Sequence, residues 1–247
     1  MDRLIYIAMT GARNVLAQQA TNSHNLANLS TSGFRAQLDS FRAVPVVGAV
    51  LPTRTYAVDA TVGTDFRPGV VHTTGRPLDV AIHGRGWIAV QAPDGSEAYT
   101  RNGSLQLNAN GVLQTRDGFN VLSDAGPITV PPDTELTIAK DGTLSTVPGT
   151  NQKNQITEVG RIKLVNPPEA DLVRGEDGLF RLANGGRAPA DDTVVLHTGA
   201  LETSNVNPAE VLVNLISLQR QFDLHMKLIQ NAEQNAAKAA ALLNLNG

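Results

Sequence analysis

The sequence predicts an α+β, mainly β, chain with a long helix at each end and a central antiparallel β-rich body. Three observations carry this. All thirteen prolines lie between Pro45 and Pro208, and nineteen of the twenty-two glycines lie between Gly48 and Gly199. Proline removes a helical N–H and glycine costs a helix about 1 kcal/mol, so long helices are permitted at the ends and not in the middle. The end segments carry apolar residues at helical spacing, while the middle carries turn dipeptides at short intervals. With 247 residues and 41% hydrophobic content, the chain can bury a sizeable core.

The N-terminal helix is placed at residues 3–31. Ile5, Met9, Ala12, Leu16 and Leu26 fall on one face, with Gln18, Gln19, Asn22, His24 and Asn25 between them. Ser32 and Gly33 supply its stop, because glycine suits a left-handed cap and Phe34 folds back on the last turn. Residues 34–74, with Pro45, Pro52 and Pro68 and little periodicity, read as an extended connector.

Residues 75–204 form the β-rich body. Asp94-Gly95, Asn102-Gly103, Asn110-Gly111, Asp117-Gly118, Asp141-Gly142, Asp177-Gly178 and Asn184-Gly185 are hairpin signals. The stretches between them alternate or run apolar, as in Trp87-Ile88-Ala89-Val90 and Val194-Val195-Leu196-His197. Short strands roughly 8 to 12 residues apart favour an antiparallel sandwich or barrel-like body over a doubly wound α/β fold.

The C-terminal helix occupies residues 205–247. Steps of four and three from Val211 reach Leu215, Leu218, Phe222, His225, Ile229, Ala232, Ala236, Ala239 and Leu243, a heptad seam with one polar member. Asn207 or Ser204 supplies the N-cap, Pro208 sits where its missing N–H costs nothing, and Gly247 closes the chain. A helix of about 35 residues is about 50 Å long and needs a second long helix as partner, which the N-terminus offers.

Several function classes are disfavoured. Twenty basic against twenty-three acidic side chains, with no basic stripe, argue against nucleic acid. The absence of cysteine removes disulfides, thiolate metal sites and cysteine nucleophiles. No apolar run approaches the roughly 20 residues of a membrane span. Leu4 to Ala8 falls short of the roughly 7 to 15 apolar residues of a cleaved leader. Among the histidines at 24, 72, 83, 197 and 225, no pair has the spacing of a helical or strand metal site, and His225 reads as a packing residue of the seam. Gly84-Arg85-Gly86 reads as a tight turn entering a strand rather than a phosphate loop. No Gly-x-Ser-x-Gly elbow exists, and Asp191-Asp192 and Glu176-Asp177 read as solvated turn acids. Asp59, Asp65, Asp79 and Asp133 form no calcium loop. No catalytic residue, cofactor, metal or small-molecule substrate is expected. The amides of both ends, Asn14, Gln18, Asn22, Asn25 and Asn28 and then Gln219, Gln221, Gln230 and Gln234, suit helices packed on copies of themselves. A plain intrachain helical hairpin is the alternative.

The segment Ser23-His24-Asn25-Leu26-Ala27-Asn28-Leu29-Ser30-Thr31-Ser32-Gly33-Phe34-Arg35 resembles the N-terminal signature of the axial proteins of the bacterial flagellum, the rod and hook group. Gly199-Ala200-Leu201-Glu202-Thr203-Ser204-Asn205-Val206-Asn207-Pro208, continuing through Leu215, Gln219-Arg220 and Phe222, is similar to the C-terminal one. Thr74-Gly75-Arg76-Pro77-Leu78-Asp79-Val80 and Tyr99-Thr100-Arg101-Asn102-Gly103 resemble the β domain of rod members. His24 stands where the family often has asparagine, and Phe222 where tyrosine is frequent. Phe34-Arg35-Ala36-Gln37-Leu38 is most similar to the proximal-rod branch, with the distal-rod branch next.

The resemblance implies a discontinuous inner domain, 1–33 plus 205–247, whose helices pair as a coiled coil around a central export channel. It implies export by the flagellar type III apparatus without a cleaved signal, and a place in the basal-body rod crossing the periplasm. The implied partners are proximal and distal rod subunits, the export apparatus and further copies of the chain. The helix-pairing and subunit-interface residues are expected at Ile5, Met9, Leu16, Leu215, Leu218, Gln219, Phe222 and Ile229. Asn25, Asn28, Gly33 and Phe34 are expected to set the helix exit, and Asn205, Asn207 and Pro208 the helix entry. Of the other classes, a peptidoglycan-cleaving enzyme needs a convergent acid pair in a cleft. A β-domain binding module with a helical hairpin is stable alone with both ends folded.

Overall fold

The computed structural model describes residues 2–45, 55–131, 134–148 and 156–244. Asp133, Gly247, residues 46–54 of the expected connector and the side chain of Leu243 lie outside the described residues. Two helices, α1 (Asp2–Ala27) and α2 (Pro208–Asn244), stand before and after the strands in the chain. In chain order these are β1 (Gln37–Pro45), β2 (Thr55–Thr64), β3 (Val71–Thr73), β4 (Val80–His83), β5 (Trp87–Gln91), β6 (Glu97–Thr100), β7 (Leu105–Leu107), β8 (Leu113–Thr115) and β9 (Asn120–Ser123). They continue as β10 (Gly126–Pro127), β11 (Thr134–Ile138), β12 (Thr143–Pro148), β13 (Thr157–Arg161), β14 (Leu164–Val165), β15 (Leu172–Arg174), β16 (Phe180–Leu182), β17 (Val195–Thr198) and β18 (Ala200–Glu202). The architecture is a β-rich body with an N- and a C-terminal helix.

The chain divides into two compact units. A helical unit comprises residues 1–29, 36–65 and 206–247, and a β unit comprises residues 30–35 and 66–205.

In the helical unit α1 and α2 pack together, and β1 and β2 form an antiparallel ribbon running from Gln37 opposite Thr64 to Pro45 opposite Thr55. A bulge at Ser40/Phe41 shifts its register, and the Asp65 N–H donates to Ala36 O at 2.8 Å to close its base. The stretch expected as an extended connector therefore holds a hairpin. In β1 the half-buried positions are Gln37, Asp39 and Phe41 and the exposed ones Leu38, Ser40 and Arg42, so polar and apolar residues mix on both faces and no hydrophobic alternation marks the strand. Helix α1 also ends at Ala27, short of the expected residue 31. Beyond it the chain tightens into turns, with Leu29 N–H donating to Leu26 O.

In the β unit one sheet runs in the order β15-β16-β6-β5-β9-β8-β7, with β14 on β5 and β10 on β9. A three-stranded sheet, β11-β12-β13, and two ladders joining distant parts of the chain, β4 with β17 and β3 with β18, complete it. Strand β5 is buried on both faces. Trp87 and Ala89 point into one apolar cluster with Tyr99 and Phe180, and Ile88 and Val90 into a larger one with Leu105, Leu144 and Leu196.

Five of the seven turn dipeptides join antiparallel neighbours: those at 94–95, 110–111, 117–118, 141–142 and 177–178. Asn184-Gly185 forms a turn after β16 that links no paired strands. Asn102-Gly103 is not a hairpin turn. A Cβ on Gly103 would stand 1.7 Å from Val80 O, so glycine there serves a close approach of two backbones.

Candidate functional site

The residues expected to act lie on the paired helices and where the chain leaves and rejoins the β unit. On α2 the 4-3 seam is the buried stripe. Val211, Leu218 and Ala232 are buried, Leu215, Phe222, His225 and Ile229 are half-buried, and only Ala236 among its described members lies open. On α1 the matching stripe is Ile5, Ala8, Ala12 and Val15.

The sequence reading placed Met9 and Leu16 on that stripe, and they lie off it, 53% and 49% exposed. The reason is size. Small residues on α1 let the bulky side chains of α2 come close, and Gly11 shows this directly, since a Cβ there would stand 2.3 Å from the His225 ring. His225 packs against this gap, and its buried Nδ1 finds no hydrogen-bond partner among the described residues.

The helix ends are held by amides. Asn207 caps α2, its Oδ1 accepting from Ala209 N–H at 3.1 Å and Glu210 N–H at 3.4 Å, and Pro208 occupies the first helical position. Near the end of α1, the buried Asn25 side chain acts as a piece of backbone. Its Nδ2 donates to Gln37 O and its Oδ1 accepts Gln37 N–H, both at 2.9 Å, which fixes the start of β1. Asn28 Nδ2 donates to His24 O at 3.0 Å, and Thr21 Oγ1 donates to Asp39 Oδ1 at 2.7 Å.

In the β unit the segments that follow α1 and precede α2 along the chain meet on one buried carboxylate. Glu202 lies between two arginines: Arg35 Nη2 is 2.7 Å from its Oε1 and Arg101 Nη1 is 3.1 Å from its Oε2. Oε1 also accepts Gly69 N–H at 2.8 Å, and Glu202 O accepts Gly33 N–H at 2.8 Å. Burial pulls the Arg101 guanidinium down to about 10, against the opposing pull of Glu202. Gly33 has φ 68°, and a Cβ on it would stand 2.3 Å from the Arg101 carbonyl carbon, so no other residue fits. Its left-handed turn was expected to cap α1 directly; it lies six residues further on. Phe34, expected to fold back on that helix, has its ring beneath the Arg174 guanidinium at 4.5 Å, and Phe34 O accepts Asn205 N–H at 3.3 Å. Asn205 Nδ2 donates to Arg67 O at 2.9 Å. Gln219 is exposed on α2, 3.4 Å from Asp223.

The motif acids are structural. Buried Asp79 accepts from Thr74 Oγ1 at 2.8 Å and stands 3.6 Å from Arg76, whose guanidinium also donates to Leu105 O. Tyr99 OH accepts Ala188 N–H and donates to Glu97, and burial pushes it up to about 12. Asp177 pairs with Arg181, whose hydrogen bonds hold its carboxyl below the usual range, and Asp191 is lowered by the Thr193 hydroxyl and N–H it caps. Among the described residues, no group of three or more His, Cys, Asp or Glu is placed to hold a metal ion, and no helix is long and apolar enough to cross a membrane. Sequence reasoning missed the Arg35–Glu202–Arg101 cluster. Its members are scattered over 168 positions and no local pattern signals them.

Terminal helices with a β-rich stretch between them are what the resemblance to the axial proteins implies, and comparison with known proteins agrees. Residues 81–146 match the family described as flagellar hook protein FlgE/F/G D1 domain, and residues 197–242 match flagellar basal body rod FlgEFG protein C-terminal. The flagellar basal-body rod protein FlgF of Escherichia coli is 47% identical, and that of Salmonella typhimurium 45%, each over 100% of both chains. A flagellar basal-body rod protein FlgG of Buchnera aphidicola is 33% identical over 96% of this chain and 98% of its own. The chain belongs to the flagellar basal-body rod protein family, and within it is most like FlgF. It is a structural protein of the basal body, not an enzyme.

Proposed function

We propose that the chain is a proximal-rod subunit whose terminal helices pair as a coiled coil and pack against neighbouring subunits to build the tubular shaft that transmits torque. One observation carries this: the helical unit leaves large apolar side chains open on both helices. Tyr6, Met9 and Leu16 on α1 and Leu212, Val213, Ile216 and Leu224 on α2 are exposed, and Val213, Ile216 and Leu224 line a groove with Arg220. Large apolar side chains grouped and exposed in this way fit a surface that a partner covers. Repeated contacts that do not close a ring generate an open helical tube.

Copies of the chain and proximal and distal rod subunits are the partners of this reading, with the wall crossing the periplasm. Ile5, Leu215, Leu218, Phe222 and Ile229 hold the helix pair, Met9, Leu16 and Gln219 face neighbours, and Asn25, Asn28, Gly33, Phe34, Asn205 and Asn207 set exit and entry. In this division residues 1–33 and 205–247 form the inner axial part and 75–204 the outer domain. Delivery through the flagellar type III apparatus, with no cleaved signal, belongs to the same reading.

The test separates folding from assembly. Met9→Ser with Leu16→Ser, or Ile216→Ser with Leu224→Ser, changes exposed positions, so isolated-chain stability shifts by about 0.5 kcal/mol or less at each. Swimming in soft agar is expected to fail in a strain carrying either pair, with the subunit absent from purified basal bodies. Normal swimming with normal incorporation would falsify the assignment.

A further inference from the structure

None of the five histidines pairs by sequence spacing, yet the fold brings two of them together. His83 ends β4 and His197 lies in β17, and the ladder sets Val195 opposite His83, Leu196 opposite Ile82 and His197 opposite Ala81. Alternation along the strands places His83 and His197 on the same face as diagonal neighbours. Ile82 and Leu196, between them in the ladder, turn inward to the larger apolar cluster. Both histidines are exposed, with ring centroids 5.0 Å apart and planes inclined by 68°.

We propose that His83 and His197 form a two-imidazole site for a late divalent transition-metal ion, of the Ni²⁺, Cu²⁺ or Zn²⁺ class. Neutral imidazole suits these ions, whereas hard cations such as Mg²⁺ and Ca²⁺ require oxygen donors. Metal–nitrogen bonds of about 2.0–2.1 Å put a ring centroid about 3.2 Å from the ion. Two imidazoles at a metal angle of roughly 90–110° then stand about 4.5–5.2 Å apart, and the observed separation falls in that window.

The scaffold is firm. Ile82 and Leu196 are buried on the opposite face, and both strands end in left-handed glycines, Gly84 and Gly199, that fix their turns. The rings are open to solvent, so side-chain rotation is free to aim one nitrogen of each at a shared point. Arg85, the nearest cation along the chain, is directed to Glu169 at 4.0 Å. Water fills the remaining coordination positions, which makes the site exchangeable rather than a structural centre.

Equilibrium dialysis of the untagged full-length chain against NiCl₂ tests this, with circular dichroism to check the fold of each variant. One equivalent is expected to bind and to be stripped by EDTA. Even outer partners of metal sites are worth about 10- to 100-fold in affinity, so His83→Gln and His197→Gln are each expected to weaken binding at least tenfold. His72→Gln, at an exposed histidine of β3, leaves it unchanged. Cu²⁺ electron paramagnetic resonance gives a second readout, with two coupled nitrogens in the wild type and one in each single variant. Absence of Ni²⁺ binding, wild-type affinity in both single variants, or an equal loss in His72→Gln overturns the site.

Discussion

The two units bury their residues differently. In the β unit Tyr99, Ile88, Leu105, Leu144 and Leu196 have no exposed surface at all. In the helical unit the best-buried seam residues, Ala8, Val15 and Ala232, are small and keep 4–5% of theirs. Larger apolar residues of the same unit, such as Ile216 and Leu224, stand open. A sheet covered on both faces closes its own core, whereas two helices bury only the stripe each turns to the other. The β unit closes its own core, and the helical unit keeps large apolar side chains exposed.

Four experiments break or sharpen that contrast. Trp87 is the only tryptophan and sits in the β unit, so its fluorescence follows that unit, while far-ultraviolet circular dichroism follows the helices. The largest effect is expected from Glu202→Gln, which leaves Arg35 and Arg101 buried without their carboxylate. Breaking a buried pair costs about 3–5 kcal/mol, and the fluorescence midpoint in urea should fall accordingly. Next, Phe222→Ala removes a half-buried anchor and should cost about 2–3 kcal/mol, below the range for full burial. It should lower the dichroism midpoint, leave the fluorescence midpoint in place, and impair rod incorporation. Equal movement of both midpoints would mean that the units unfold as one and the contrast fails.

Gly11→Ala should cost the helices about 1–3 kcal/mol through overpacking against His225, readable in the same dichroism transition. The smallest effect belongs to Asp177. Its folded-state pKa is lowered, so its contribution is present above the unfolded value near 4 and is lost as pH falls through the lower folded value. Asp177→Asn should flatten the acid limb of β-unit stability by about 0.2–1 kcal/mol. An unchanged acid limb would show that the Arg181 pair contributes nothing.

What was legible in the sequence is local. The 4-3 seam of α2, the Asn207 cap with Pro208 behind it, and five Asx-Gly turns are each written within a few residues. On α1 the sequence points to Ile5 and Ala12 correctly, but large side chains draw the stripe to Met9 and Leu16 where Ala8 and Val15 are the buried residues. The β1–β2 ribbon is not legible because β1 turns Gln37 and Asp39 inward and Leu38 outward, against the hydrophobic alternation a strand is recognised by. The Arg35–Glu202–Arg101 cluster and the His83–His197 pair were beyond reach for another reason: their members meet only when strands from opposite ends of the β unit come together.

That last pairing bears on how the protein reaches its fold. The hairpins β5–β6, β7–β8, β11–β12 and β15–β16 join near neighbours and need only short loops to close. The ladders β3–β18 and β4–β17 join residues more than a hundred positions apart. Closing so long a loop costs about 3 kcal/mol more than closing one of four residues, so these ladders come late. A chain emerging N-terminus first holds Val71–Thr73 and Val80–His83 without partners until Val195–Glu202 arrives. Until then β3 and β4 lack their ladder partners, and these two ladders close only when nearly the whole chain is free.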